Sequence, residues 1–181
     1  VMFVDSDDWI ENDTVEKLVN IMEEKLVDLI RFKAVWDGRP GMPDGTTVKC
    51  EPSQHLSAGY YDAARIEKEI YPRLLITPDL FLGPILSACF GMYKSDFLKE
   101  NGIRFDKEIK YCEDSVFNAK AVVNSNSFMV LDDCFYHYCF NGASISQSFH
   151  GDAFDIAKKR YEYFEKYFRG CTKFDSELQL K

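Results

Sequence analysis

The sequence has few of the residues that build zinc sites, and it lacks long apolar runs. It contains only three histidines, and none of its six cysteines forms a Cys-x-x-Cys pair. Both features argue against a zinc site, which needs clustered Cys and His ligands. No apolar run reaches the roughly 20 residues that a transmembrane helix requires. Scattered cysteines in a chain of 181 residues predict reduced thiols and therefore a cytoplasmic location.

Basic residues are also scarce relative to acidic ones. The chain has 22 Lys and Arg against 30 Asp and Glu, which gives a net charge of −8 at pH 7. A protein that binds nucleic acid through a broad basic face needs the opposite balance, so we expect no nucleic-acid partner. Hydrophobic residues make up 46% of the chain, which predicts a globular domain with a sizeable core.

What the sequence does contain is a dense acidic stretch near its beginning. The apolar run Val1–Val4 predicts a buried strand, and Asp5, Asp7 and Asp8 follow it directly. On a continuing strand Asp5 and Asp7 would share a face, where two carboxylates repel each other unless a cation lies between them. Oxygen ligands without His or Cys suit Mg²⁺ or Mn²⁺, which takes further ligands from water and substrate phosphates. The alternative is an acidic turn that caps the next helix.

The order of the remaining elements predicts an α/β fold. Apolar residues at helical spacing predict helices over about 13–26, 61–75, 95–102 and 154–168, and a further helix from residue 113. Alternating patterns predict strands over 28–34, 127–131 and 134–139, with a turn at 132–133. Gly102 is expected to end its helix at the C′ position. Segment 37–59, rich in Gly and Pro, predicts a loop or a hairpin, because residues 46–49 within it are strand-like. Segment 78–93 predicts a buried, bent segment with a short helix.

A second acidic pair, Glu113 and Asp114, lies in the first turn of a predicted helix. Acids interact favourably with the dipole at a helix N-terminus, so the pair by itself needs no chemical role. The last predicted helix has an aromatic stripe opposed by lysines. We expect the stripe to pack into the core, and a contact with a second subunit or a membrane surface is the alternative.

Together these segments resemble a known enzyme family. Residues 3–11 resemble the metal-binding Asp-x-Asp segment of the family 2 glycosyltransferases with a GT-A fold. Residues 113–118, preceded by 103–106, resemble their second acidic motif, and Ser144-Ile145-Ser146 after a Tyr-rich strand resembles the end of the same module. The resemblance implies a partial GT-A fold, a mixed sheet with flanking helices, over residues 1–150. A C-terminal amphipathic helix and tail would follow over 151–181.

The resemblance also implies a reaction. It is the inverting transfer of a sugar from a nucleotide diphosphate sugar to a glycan or another hydroxyl acceptor, with help from Mn²⁺ or Mg²⁺. By matching residues, Asp7 and Asp5 would bind the metal, with Asp7 the more direct ligand. Asp114 would be the general base that takes the proton of the acceptor hydroxyl. A helix N-terminus lowers the pKa of such a carboxyl, whereas burial and nearby negative charge raise it, so sequence leaves the balance open.

Four other side chains receive roles from the same resemblance. Asp8 would support the acidic turn or contact the donor, and Glu113 would contact the substrate. Trp9 would stack on a sugar, or else cover the core. His137 would approach the metal or the phosphates, or else be a packed histidine on a strand, which we favour.

The chain also departs from the family pattern. Cys112 stands where a Gly commonly precedes the Glu-Asp pair, and Cys139 stands where a basic residue often follows the Tyr-rich strand. The nucleotide-binding N-terminal half of the family has no counterpart in this sequence. We therefore expect the chain to be the C-terminal part of a longer domain and to be inactive by itself. The edge of the Val1–Val4 strand would then invite pairing with another copy.

Two other functions fit parts of the pattern. A non-catalytic domain of the same fold would serve assembly, with the aromatic C-terminal helix as its contact. A haloacid-dehalogenase-like phosphatase also places Asp-x-Asp after a strand. It would need a Gly-Thr-like continuation and a later Gly-Asp-x-x-x-Asp, whereas this chain has Asp8 and Trp9 after the motif and Asn118 four residues after Asp114. For the glycosyltransferase, we expect a cytoplasmic location, with attachment at the inner membrane face as an alternative.

Overall fold

A computed structural model describes residues 1–38, 47–50, 56–75, 87–109, 113–140 and 153–175. Its strands are β1 (Trp9–Ile10), β2 (Leu29–Asp37), β3 (Thr47–Cys50), β4 (Gly59–Asp62), β5 (Gly91–Tyr93) and β6 (Ser127–Cys139). Its helices are α1 (Thr14–Lys25), α2 (Ala63–Glu69), α3 (Ser95–Glu100), α4 (Glu113–Asn124) and α5 (Ala153–Phe168), with a 3-10 turn at Tyr71–Arg73. Cys112, the Ser144-Ile145-Ser146 segment and much of 37–59 and 78–93 lie outside the described residues.

The described strands form one mixed sheet that is organised around β2 and β6. These two run parallel to each other from Leu29 opposite Phe128 to Asp37 opposite Cys139. Because β2 occupies one edge of β6 along its whole length, β4 and β1 share the other edge, both antiparallel to it. In the same way β5 and β3 share the outer edge of β2. The fold is therefore α/β with a mixed sheet, as predicted.

Helices cover both faces of this sheet, because successive strand residues point to opposite sides. Leu29 and Phe128 belong to a core cluster with residues of α2, α3, α4 and α5. Their neighbours Ile30 and Met129 face a second cluster, which Leu18 of α1 completes. Each face thus has its own apolar core, and the carboxyl ends of β2 and β6 lie between the two layers.

Several predicted elements are confirmed. Helix α1 has the predicted extent within a residue or two, and the helix predicted from residue 113 begins there as α4. Helix α3 ends as predicted, with Gly102 at a φ of 61°. The amide of Ile103 donates to the carbonyl of Leu98 and that of Gly102 donates to Lys99, which is the Schellman pattern. On α5, Phe164 and Phe168 are buried as predicted, while Tyr161 of the same stripe is 37% exposed.

The predicted buried strand at Val1–Val4 is wrong. Met2 forms only a single bridge with Met92, and Val1 and Val4 are 49% and 46% exposed. An apolar run becomes a buried strand only when partners cover both its edges and faces. In the described part of the chain this run has β5 on one edge, and its two valines stay about half exposed.

Two other boundaries are also wrong. The turn predicted at 132–133 does not form, because β6 keeps its ladder with β2 on both sides of an irregularity opposite Arg31–Ala34. The helix predicted over 61–75 is shorter, because its first residues belong to β4 and pair with β6. The Asp62 carboxylate then accepts a 2.8 Å hydrogen bond from the Arg65 amide and caps α2. No helix in the described ranges is long and apolar enough to cross a membrane.

Candidate active site

The acidic stretch Asp5–Asp8 forms a tight turn that β6 holds in place. The amide of Asp8 donates to the carbonyl of Asp5 at 3.1 Å and closes the turn. The hydroxyl of Tyr136 accepts from the Asp5 amide at 3.1 Å and donates to the Asp8 carboxylate at 2.6 Å. The other oxygen of Asp8 accepts from the amide of Cys139 at 2.8 Å. Asp8 therefore supports the turn with both oxygens, and a further contact with the donor or a cofactor stays a prediction.

The carboxyl of Asp5 lies in a field of neighbouring acids. The residue as a whole is exposed, yet partial burial of its carboxyl raises the pKa, and the charges of Asp8, Asp114 and Asp7 raise it further. A hydrogen bond with the Cys89 thiol lowers the pKa by a smaller amount. Burial raises the pKa of that thiol to about 11, so Cys89 stays protonated at neutral pH.

Asp114 faces the acidic turn from the first turn of α4. Its Oδ2 accepts hydrogen bonds from the Ala88 amide at 2.9 Å and from the Ser87 hydroxyl at 3.3 Å. Burial raises the pKa of the Asp114 carboxyl, and the charge of Glu113 adds to that rise. The Ala88 and Ser87 hydrogen bonds and the charge of Arg31 lower the pKa, but the net shift is upward. The effects that raise the pKa of Asp114, burial first among them, thus outweigh those that lower it, a balance that the sequence left open.

One cavity of about 700 Å³ joins the two acidic segments. Asp5 borders it on one side and Glu113 and Asp114 border it on another. The remaining described lining comes from Met2, Phe3, Val4, Ala88, Cys89, Phe105, Asp106 and Ile109. Asp114 raises the pKa of Asp5 through their charges, so the two carboxyls are close enough to interact across this space. The tertiary fold therefore brings together acids that lie more than 100 residues apart in the sequence.

Trp9 and His137 form a stacked pair beside the turn. Their ring centroids lie 3.4 Å apart with an interplanar angle of 13°. The Nδ1 atom of His137 lies 2.8 Å from an Asp37 oxygen, and its Nε2 atom lies 2.8 Å from a Glu11 oxygen. Both ring nitrogens thus face carboxylates, which agrees with the packed histidine that we favoured. Trp9 is 45% exposed and covers His137 and not the apolar core.

The donor set around the turn fits a hard divalent cation. Asp5 and Asp7 offer carboxylate oxygens, the ligands that Mg²⁺ and Mn²⁺ prefer. In the part of the chain that the structure describes, no group of three or more His, Cys, Asp or Glu side chains is arranged as a metal site. Two carboxylates suit a cation that takes its other ligands from water and phosphates. The raised pKa of Asp5 also shows local negative charge that a cation would offset.

Some residues of this site were not found from the sequence. Tyr136 joins the two ends of the turn, but a tyrosine in a Tyr-rich strand gives no signal of that contact. Ser87 and Ala88 hold Asp114, and they lie within the segment 78–93, for which the sequence predicted only a buried bend with a short helix. Arg31 was a signal that could have been used, because it interrupts the apolar run of β2 and is fully buried.

Comparison with known proteins identifies relatives of this chain. No family model matches the chain. It is 32% identical over 140 residues to the poly(ribitol-phosphate) beta-N-acetylglucosaminyltransferase TarS of Staphylococcus aureus strain MW2. It is 27% identical over 138 residues to the poly(ribitol-phosphate) beta-glucosyltransferase of Bacillus spizizenii, and 27% identical over 153 residues to the glycosyltransferase GlyA of Streptococcus pneumoniae. These matches cover 76%, 76% and 81% of the chain but only 20%, 18% and 20% of the relatives.

A solved structure shows the same fold. The crystal structure of residues 1–349 of S. aureus TarS in complex with UDP-GlcNAc superposes with a TM-score of 0.59 at 25% sequence identity. The match covers 91% of this chain and 42% of that one. The chain thus spans about a fifth of its curated relatives and less than half of the solved fragment.

Proposed function

Because this chain belongs to the family 2 glycosyltransferases with a GT-A fold and corresponds to a part of those longer proteins, we propose that the full-length protein transfers a sugar from a UDP-sugar to a hydroxyl group of a glycan-like polymer. The observation that carries the proposal is the shared cavity of Asp5 and Asp114. It is bordered by the exposed Asp5 on one side and by the half-buried Asp114, whose pKa is raised, on the other. A transferase needs both kinds of acid. One kind holds a cation that neutralises the charged leaving group, and the other accepts a proton.

The proposed step is a single displacement. The acceptor hydroxyl oxygen forms a bond to the anomeric carbon as the bond from that carbon to the diphosphate oxygen breaks. The hydroxyl proton passes to the Asp114 carboxylate, and the nucleoside diphosphate leaves with the bonding electron pair. Displacement from the opposite side inverts the anomeric centre, so an α-linked donor would give a β-glycoside. The names of two relatives specify beta-transferases, which supports this outcome.

The environment of Asp114 suits a general base. A base works best when its pKa approaches the working pH, and burial together with Glu113 moves the pKa of Asp114 in that direction. The Ala88 amide and the Ser87 hydroxyl bind one oxygen, Oδ2, and they orient the carboxylate. Asp5 and Asp7 would hold a divalent cation, whose chemistry when bound is to neutralise the diphosphate leaving group.

The proposal also covers the location of the protein in the cell and its association with other copies or with a membrane. Within the described residues Cys89, Cys139 and Cys171 form no disulfide, and we propose a reducing, cytoplasmic setting in which such thiols stay reduced. Next to Val1 lies an apolar groove of about 590 Å³ that includes Met2, Val15 and Val19. We propose that copies associate through the exposed edge of the Val1–Val4 segment beside this groove or through α5, and that the protein also contacts the inner membrane face. Sedimentation of the purified chain, alone and with lipid vesicles, measures both.

The test uses the full-length protein with a panel of UDP-sugars, Mn²⁺ or Mg²⁺, and poly(ribitol phosphate) or other polyol polymers as acceptors. Metal-dependent transfer that gives an inverted product, followed by nuclear magnetic resonance of the new linkage, is the expected result. The isolated chain should show little turnover, because it spans only part of the relatives. A folded full-length protein that binds no donor would instead favour the assembly alternative. Release of phosphate from simple esters would favour the phosphatase.

A further inference from the structure

Arg31 is a positive charge that is completely buried near the beginning of β2. Arginine stays charged in proteins, and an uncompensated charge in the interior is costly. Within the described ranges its Nε and Nη2 atoms have no hydrogen-bond partner, and no carboxylate forms an ion pair with it. Its Nη1 atom donates to the hydroxyl of Tyr93 at 3.2 Å. The surroundings of this buried charge therefore need an explanation.

The fold is shaped to admit the guanidinium. At Gly91 of β5 an added Cβ atom would lie 2.9 Å from Nη1 of Arg31 and 2.9 Å from the carbonyl oxygen of Ile30. Both distances are shorter than real side chains allow, and one of the neighbours is backbone that cannot yield. The glycine therefore lets β5 approach the arginine. The space that a side chain would fill is given to the guanidinium.

From Arg31 a chain of contacts leads to Asp114. The Tyr93 hydroxyl accepts from Arg31 and donates to the Oδ1 atom of Asn118 at 2.5 Å, with the Ala88 carbonyl at 3.3 Å as a second acceptor. The amide of the same Ala88 donates to Asp114 at 2.9 Å. Asn118 lies one helical turn after Asp114 on α4. Tyr93 thus contacts both the segment and the helix that place the carboxylate.

The charges around Asp114 explain why a distant cation is useful there. Burial raises the pKa of Asp114 first, and Glu113 raises it next. Asp5 faces the same cavity, and Cys89 and Tyr93 are protonated neighbours, with the pKa of Tyr93 raised to about 12 mainly by burial. The charge of Arg31 lowers the pKa of Asp114, by less than the Ala88 and Ser87 hydrogen bonds do. It opposes the acids without lining the cavity, so it competes with neither substrate nor metal for space.

We propose that Arg31 is a positioning residue for the general base, which fixes the Asp114 carboxylate through Tyr93 and Ala88 and offsets its negative surroundings from behind the site. This inference rests on the proposed function, because it gives Asp114 the role of base. Arg31 itself touches neither donor nor acceptor.

The test compares Arg31→Met, Arg31→Lys and Tyr93→Phe in the full-length protein. Lys33→Met is the matched control, since it removes a cation two residues away on β2 that pairs with Asp132 at 2.9 Å. Arg31→Met should move the acidic limb of the pH profile of kcat/KM to higher pH and leave the donor Kd unchanged. A limb displaced by about one pH unit lowers the rate roughly tenfold below it, because rate follows the ionised fraction of the base. Arg31→Lys should return the limb toward its original position.

Tyr93→Phe separates charge from contact. It keeps the guanidinium but removes the hydroxyl, so kcat should fall while the limb moves less than in Arg31→Met. A purely structural role would instead lower kcat equally at every pH, with a lower Tm and no rescue by lysine. That pattern, or a limb that stays in place in Arg31→Met, would overturn the proposal.

A readout without turnover keeps the two proposals apart. The titration of Asp114 is followed by carbon nuclear magnetic resonance of labelled aspartate, assigned with Asp114→Asn, in the wild type and Arg31→Met. An upward shift of this titration in a protein that transfers no sugar would support the role of Arg31 and contradict the proposed function. Active protein in which neither the titration nor the limb responds would contradict the role of Arg31 alone. Lys33→Met should leave both unchanged.

Discussion

The turn Asp5–Asp8 and the helix start at Asp114 border one cavity from opposite parts of the chain. The turn is exposed, and its order comes from hydrogen bonds of Tyr136 and the Cys139 amide to its backbone and to Asp8. Asp114 is more buried, and its own carboxylate receives the hydrogen bonds. Exposed acids suit a ligand that arrives and leaves with water and phosphate. A half-buried acid of raised pKa suits the acceptance of a proton. The predictions that follow test whether the exposed acids serve donor binding and Asp114 serves proton transfer.

The largest effect is expected at Asp114. Asp114→Asn removes the base but keeps an oxygen that accepts from the Ala88 amide, so turnover of the full-length protein should fall by roughly 10²–10⁴-fold. Because the folded protein raises the pKa of Asp114, its charge works against folding at neutral pH, and Tm should not fall. Initial rates and thermal melts measure both. Asp106→Asn, an acid of the same cavity bonded to Tyr167, is the control and should retain most activity.

The next effect is expected at the exposed acids. Asp7→Asn removes a charged ligand oxygen, so metal-dependent binding of UDP-sugar, measured by calorimetry, should weaken by about 100-fold or more, since even outer partners of metal sites are worth 10–100-fold. Asp13→Asn, which removes an acid that pairs with Lys17, is the control. Equal donor affinity in wild type and Asp7→Asn, with and without metal, would contradict the role of the exposed acids in donor binding.

A smaller loss of donor affinity is expected from changes to residues that only support the turn. Asp8→Asn retains an acceptor for the Cys139 amide but loses the charged acceptor for the Tyr136 hydroxyl. Donor affinity should weaken by roughly 10–100-fold, as for other residues that orient a ligand. Tyr136→Phe removes the same contact from the other side. The double variant should therefore cost little more than either single change, and additive losses would show that the two residues act separately.

The smallest and most graded effect is on pH. Asp114 acts as a base only when ionised, and its pKa is above the ordinary value of 3.8. Thus kcat/KM should fall as pH decreases through that raised pKa, about tenfold per unit below it. The folded protein gains proton-linked stability over the same interval as pH falls, because it binds the proton more tightly than the unfolded chain does. A rate limb at the ordinary pKa of aspartate would indicate a solvent-exposed base.

The sequence was a good guide to local structure and to which acids matter. Helical periodicity located α1 and α4, and Gly102 located the end of α3, because both signals depend on residues close in the chain. The strand patterns gave wrong boundaries where pairing with distant strands determines the structure. The run at 127–139 contains an acidic pair typical of a turn, yet β2 and its other partners hold it as one strand.

By itself the sequence determined two acidic segments, their order and the resemblance they carry, because residue types and short spacings are written in the chain. Only the tertiary structure decided that Asp114 and Asp5 share a cavity and that Tyr136 supports the turn. It also decided that Arg31 lies buried behind the base. The physical reason is that burial, and therefore the pKa of a carboxyl and the cost of a guanidinium, depends on what distant segments place around it.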